Sequence, residues 1–240
     1  MTRVELLERA KPILFNTEMV RAIQDGRKTV TRRVIKLKYG NTHIQWRKDK
    51  YGKHLVEMQN DVEGETYGVR DDGTHWQKVL AMREIKLPYR VGDILYVRET
   101  WCIQYCWECE QNGYANDCEI ESANFNFSIA PFGEHGCYVH YAGNDTYKPM
   151  HGWKPSVHMP KEAARIFLRV TDVRVERLQD ITPEDIIKEG FCEVFPAGIW
   201  QADFYNTWNS TIRPADLAKY GWNANPWVWV IEFERVEVTE

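Results

Sequence analysis

The sequence predicts an α+β fold: a small, mixed, barrel-like sheet with flanking helices and two insertions. Three observations lead there. Apolar residues alternate along 164–178 and again along 227–238, the pattern of half-buried strands. Helix start and stop signals are few and closely spaced, so helices are the minority. The expected elements run β-α-β, insertion, β, insertion, β-β, α, α, β, with no repeat of the roughly 20–50 residues that marks a solenoid.

Residues 11–15 (Lys-Pro-Ile-Leu-Phe) read as a short strand. Asn16, Thr17 and Glu18 then offer helix caps, and Met19, Val20 and Ile23 form an apolar stripe that Gly26 can end. The β-branched run 29–35 reads as strand. Residues 36–90 carry the turns Tyr51-Gly52-Lys53 and Asp71-Asp72-Gly73 and read as irregular hairpins, the first insertion. Val91-Gly92-Asp93 turns the chain into a strand at 94–98, with Asp93 holding its own turn. The cysteine-containing stretch 102–153 is the second insertion. Residues 164–178 read as one long strand or a bent pair. Thr182 caps a helix with Pro183 in its first turn and Glu184 and Asp185 against its dipole, ending at Gly190. Trp200, Phe204 and Trp208 share one face of a further helix, and 227–238 closes the sheet. All 240 residues are expected in a single domain carrying both insertions.

Composition excludes several classes. With 43% hydrophobic and 28% charged residues the chain is globular rather than disordered. No apolar run reaches the roughly 20 residues of a membrane span, and the first residues carry acids where a signal peptide is apolar. A cytoplasmic enzyme or binding protein, with no membrane partner, is therefore expected. The net charge of −4 hides a segregated distribution. From Arg21 to Lys53 eleven basic residues face only Asp25 and Asp49, whereas from Glu99 to Tyr147 eight acids meet no Lys or Arg. The positive stretch is either a local anion site or a solvated face.

Within it lies Gly26-Arg27-Lys28-Thr29-Val30-Thr31-Arg32-Arg33. Glycine permits close approach of a ligand, lysine brings a charge that desolvation can remove, arginine a fixed fork, and threonine a hydroxyl. The Gly-x4-Gly-Lys-Ser/Thr phosphate loop is absent. These residues alone leave an anion-binding turn and an exposed basic strand equally open.

The octet, preceded by a strand and a short helix, resembles the signature of the ASCH domain, a family with a PUA-like fold. The likeness continues in Val91-Gly92-Asp93-Ile94-Leu95-Tyr96-Val97, in 166–190 and in the terminal strand, and leaves both insertions unmatched. The segment Gly152-Trp153-Lys154-Pro155-Ser156-Val157-His158-Met159-Pro160 is similar to long phage and prophage members of unassigned function. Small bacterial members are amidohydrolases that remove the acyl group of N4-acetylcytidine. The resemblance implies Lys28, Thr31 and Glu189 as catalytic residues, with Glu184 and Asp185 competing on the same helix. It implies no cofactor for catalysis, and a modified nucleoside or nucleotide as substrate. Gly26, Arg27, Arg32, Arg33 and Trp101 are the substrate-binding candidates.

In the chemistry this suggests, neutral Lys28 takes a proton from Thr31 or from water, and Glu189 orients or protonates the leaving nitrogen. Side chains at i and i+3 of a regular strand face opposite ways, so Lys28 has to sit in a turn or bulge.

Cys106-x2-Cys109 with Cys118 and Cys137 is a candidate structural zinc site, although the second pair is too widely spaced for a ribbon. Cys102 lies four residues upstream, His135 and His140 are substitutes, and free or redox-paired thiols are the alternatives. Cys192 reads as a small core residue. Of ten tryptophans, those with strand or helix periodicity read as core, and Trp46, Trp76, Trp101 and Trp153 as stacking candidates. Aromatic faces beside basic residues also suit a non-catalytic PUA-like module that binds single-stranded RNA or DNA, or an accessory interaction protein.

Overall fold

A computed structural model describes residues 1–39, 42–50, 52–60, 68–69, 75–76, 79–105, 136–143, 148–149, 152–191 and 199–239. The architecture is α+β, in two units: Met1–Arg33 with Val91–Glu240, and Val34–Arg90.

The first unit opens on a helix absent from the expected element order, α1 (Arg3–Arg9), which begins in a reciprocal box: Thr2 Oγ1 accepts from Glu5 N, and the Glu5 carboxylate accepts from Thr2 N. Strand β1 (Lys11–Leu14) follows, then α2 (Thr17–Gln24), capped by Asn16, whose side chain accepts from Met19 N. Strand β2 (Val30–Val34) leads into the second unit. There β3 (Thr42–Asp49), β4 (Gly52–Asn60) and β7 (Val79–Ile85) form an antiparallel sheet, with a short hairpin of β5 (Gly68–Val69) and β6 (His75–Trp76) between β4 and β7. The described part of 36–90 is thus built of antiparallel strand pairs, with a register shift between Gln59 and Asn60. Its buried acid, Glu57, accepts from the backbone nitrogens of Lys38 and Tyr39 and from Arg83.

Back in the first unit, β8 (Ile94–Arg98) pairs in parallel with β1 and antiparallel with β11 (Phe167–Arg177). The alternation over 164–178 is one long strand, with a register shift between Val170 and Asp172 rather than a break into two. It pairs along its length with β12 (Trp227–Arg235), giving a mixed sheet in the order β1-β8-β11-β12-β2. No pairing among the described residues joins β1 to β2, so this sheet is open where a barrel would close. Strands β9 (Trp101–Tyr105) and β10 (Gly136–His140) form a separate antiparallel pair.

Leu6, Ile94, Tyr96, Trp101, Met159 and Phe167 pack into one core cluster. Buried Glu99 clamps it by accepting twice from Arg165, at 2.9 and 2.8 Å. Helix α3 (Pro183–Lys188) starts at Thr182 as its sequence predicts, and α4 (Ile199–Ser210) and the short α5 (Leu217–Tyr220) precede β12. No helix among the described residues is long and apolar enough to cross a membrane.

Candidate functional site

Two helix ends build the site. Helix α2 finishes in a Schellman motif: Gly26, at φ +75°, donates to Ile23 O, and Arg27 N donates to Ala22 O. Helix α3 finishes in the same way, Gly190 at φ +99° donating to Ile187 O and Phe191 N to Ile186 O. The two ends then join. Thr29 N donates to Lys188 O at 2.8 Å, Lys28 and Glu189 form an isolated antiparallel bridge, and Arg27 Nη1 donates to Gly190 O at 2.6 Å. A Cβ on Gly190 would lie 2.8 Å from the Ala22 Cβ and 3.1 Å from that of Lys28. Glycine is required there for both dihedral and space.

Lys28 lies in that isolated bridge, past the turn at Asp25-Gly26 and ahead of the regular strand β2. Its Nζ donates to Val30 O at 2.8 Å, Glu189 O at 2.9 Å and Glu189 Oε2 at 2.6 Å. Those acceptors take all three protons of an ammonium and leave none for Thr31. The lysine side chain is 0% exposed and the glutamate 4%. Burial pulls the Lys28 ammonium below its ordinary pKa, and the charge and hydrogen bond of Glu189 oppose that pull. A carboxylate at a helix C-terminus meets the negative end of the dipole, so Glu189 depends on its cations.

The second cation is Arg32, 1% exposed at its side chain, which reaches Glu189 at 3.2 Å, Asp185 at 2.8 Å and Glu176 at 3.3 Å. Its Nε is buried with no hydrogen-bond partner. Arg174 continues the network, pairing with Glu176, Asp172 and Glu232. Among the three helix acids, Glu189 meets Lys28, Asp185 is drawn to Arg32, and Glu184 is exposed. Arg33 donates to Leu14 O and lies over the Phe15 ring, which Lys28 also approaches at 5.6 Å.

The basic octet is mixed in exposure: Lys28 and Arg32 are buried, Arg33 is half-buried and Arg27 is exposed. Arg27, Lys28, Arg32 and Arg33 each donate to carboxylates or carbonyls of the protein itself. Gly26 serves the helix cap.

Thr31, Arg32 and Glu189 line a cavity of about 40 Å³ that Phe191, Phe204 and Trp208 wall with aromatic rings. Phe191 meets Phe204 edge-on at 5.7 Å, and Phe204 stacks on Trp208 at 6.3 Å. A second cavity of about 260 Å³, lined by Asn16, Glu18, Arg27 and Gly190, shares Met19, Glu189, Phe191 and Thr207 with the first. Phe191 and Thr207 carry no motif of their own; only the aromatic periodicity of α4 pointed toward this wall.

Trp101 is placed elsewhere. It is 5% exposed within the core cluster, bridges to Lys154, whose Nζ lies 5.0 Å from its ring, and lines neither cavity. Cys106, Cys109, Cys118 and Cys192 fall outside the described residues, as does the side chain of Cys137, so the zinc expectation lies there too. Among the described residues no group of His, Cys, Asp or Glu is arranged to hold a metal ion. The chain matches no protein-family model, no curated protein and no solved structure.

Proposed function

We propose that this site belongs to an ASCH-type, PUA-like amidohydrolase that cleaves the N4-acyl amide of an acylated cytidine, its open sheet being a barrel parted between β1 and β2. The observation that carries the reading is the buried Lys28–Glu189 pair at 2.6 Å, whose glutamate lines an aromatic-walled cavity together with Thr31. The volume beside Thr31, about 40 Å³, holds roughly two or three waters, the size of an acetyl group. The adjoining volume of about 260 Å³ approaches the ~300 Å³ at which small-ligand pockets begin. An aromatic wall with a carboxylate and hydroxyls suits a planar base with a polar edge. Because the octet's cations are engaged internally, the favoured substrate is an uncharged nucleoside rather than a nucleotide.

The resting ion pair supplies both acid and base after one internal step. In the reading proposed here a proton passes from Lys28 to Glu189, leaving a neutral amine and a carboxylic acid. Lys28, whose Nζ is held by Val30 and Glu189 in the resting site, has to turn its lone pair to Thr31 to accept that proton as Oγ1 attacks the acyl carbon, and Glu189 protonates the departing cytosine nitrogen. The acyl-threonine ester is released by water. Arg32 Nε, buried without an acceptor, is the donor we assign to the developing oxyanion.

The test is turnover of N4-acetylcytidine, followed chromatographically as cytidine and acetate. Wild type should hydrolyse it and Lys28→Ala should not. Folded wild type that binds the nucleoside without turning it over would exclude the hydrolase and leave the non-catalytic binding module.

A further inference from the structure

Residues 34–90 hold positive charge of a different kind from the octet. Among the described residues of this unit nine are Lys or Arg (Lys36, Lys38, Arg47, Lys48, Lys50, Lys53, Arg83, Lys86, Arg90) against three acids, Asp49, Glu57 and Glu84. Glu57 is buried and holds Arg83. Five further acids (Asp61, Glu63, Glu65, Asp71, Asp72) are confined to 61–72 of the sequence, outside the described residues.

Strand register concentrates the cations. Arg47 faces His54 and Lys48 faces Lys53 across the β3–β4 hairpin. Leu55 faces Ile85, so Lys86, the next residue, extends the Arg47–His54 row onto the third strand. Like charges directly opposite one another on a sheet destabilise it. Lys48 and Lys53, two exposed cations directly opposite each other, are a cost that the sheet's own packing does not require, and an anionic ligand offsets it.

Beside this hairpin end lies a groove of about 860 Å³ lined by Gly52, Lys53, His54, Glu84, Lys86 and Arg90. Lys53, Lys86 and Arg90 are exposed there, and Glu84 is the single acid in the lining. The volume is that of an extended ligand rather than one phosphate ion. Lys53 Nζ also sits 4.8 Å from the ring of half-buried Trp46, which places an aromatic face beside the cations.

We propose that this groove is a docking surface for single-stranded nucleic acid, the cations tracking successive phosphates and Trp46 offering an aromatic surface near the strand. Charge complementarity names a polyanion, and the aromatic neighbour favours a strand whose bases are open over a duplex whose bases are stacked inside. The surface consists of residues that the amidohydrolase reading does not use, so either can fail alone.

The experiment measures fluorescence anisotropy of a labelled oligouridylate with the full chain, from 50 to 200 mM salt. Lys53→Glu/Lys86→Glu is compared with Lys148→Glu/Lys219→Glu, which changes net charge equally at exposed positions outside the groove. A milder pair, Lys53→Gln/Lys86→Gln, covers loss of folding in the reversal variant, and circular dichroism monitors all of them. Binding should weaken at least ~10-fold in the groove variants at 50 mM salt. With about 0.7 of logarithmic slope lost per phosphate contact on a single strand, the salt dependence should become shallower by about 1.4. The control should bind within about twofold of wild type. The proposal is overturned if wild type does not bind the oligomer at 50 mM salt, or if the folded groove variants bind as tightly as wild type. It is equally overturned if the control pair loses as much, or if wild type prefers phosphatidylserine vesicles or duplex over the single strand.

Discussion

Replacing Glu189 by glutamine removes one charge and little volume, and its effect follows from who is left without a partner. Arg32 keeps Asp185 and Glu176, at 2.8 and 3.3 Å. Lys28 keeps only the carbonyls of Val30 and Glu189 and a neutral amide. Breaking one side of a buried ion pair costs about 3–5 kcal/mol. Lys28 escapes part of that cost by losing its proton, because the contributions of Glu189 that raise its pKa vanish while desolvation remains. The sign of the pH dependence is then fixed. Between the lowered folded pKa and the unfolded value of about 10.4, the unfolded chain binds more protons than the folded one, so stability rises with pH. Below the folded pKa the dependence disappears. The slope for one proton is at most about 1.4 kcal/mol per pH unit, so a deficit of about 3–5 kcal/mol at pH 7 should shrink by up to about 2.7 kcal/mol at pH 9. Wild type shows the same sign over a narrower window, since Glu189 opposes the shift. Urea unfolding of both proteins at pH 7, 8 and 9 reads the difference. An equal deficit at all three values, or one under about 1 kcal/mol at pH 7, refutes the claim that Glu189 is what holds the lysine charged.

Two substitutions separate architecture from chemistry. Gly190→Ala puts a Cβ 2.8 Å from that of Ala22 at φ +99°, and should destabilise by about 2–5 kcal/mol in the same urea assay, combining strain and overpacking. Thr31→Val keeps the buried shape and deletes the hydroxyl; it should shift stability by under about 1.5 kcal/mol while N4-acetylcytidine turnover falls at least ~100-fold, and unchanged turnover would remove Thr31 as nucleophile.

Local chemistry made the helix boundaries legible in the sequence. Thr182-Pro183 and the two glycines Gly26 and Gly190 mark starts and ends that depend only on near neighbours, and each marks one in the structure. The box Thr2-x-x-Glu5 carries the same kind of signal for α1. What the sequence could not supply is partner choice. Arg32 pairs with residues 144, 153 and 157 positions away, and no spacing rule distinguishes it from Arg33, which turns to the carbonyl of Leu14. Glu189 and Asp185 were rivals on one helix because the cations that sort them arrive from β2. Trp101 looked available for stacking since it borders an insertion, and it is buried because Met159 and its neighbours return to cover it.

The eleven basic residues from Arg21 to Lys53 are, in consequence, two populations separated near Ile35. On one side Arg27, Lys28, Arg32 and Arg33 are held by acceptors of their own unit. On the other, Lys48 and Lys53 are exposed and face each other across a hairpin. Salt screens exposed charges over a length of about 8–10 Å at 0.1–0.15 M and acts weakly on buried pairs. The two populations should therefore respond differently to the same titration. Between 50 and 200 mM salt, KM for N4-acetylcytidine should stay within about twofold, because an uncharged nucleoside meets cations already neutralised. Oligonucleotide binding over that range should fall steeply, by about tenfold for every few phosphates contacted. A KM that climbs with salt in parallel with the oligonucleotide Kd would mean that the octet presents its charge outward after all, and that the internal pairing of Arg27, Lys28, Arg32 and Arg33 does not hold in solution.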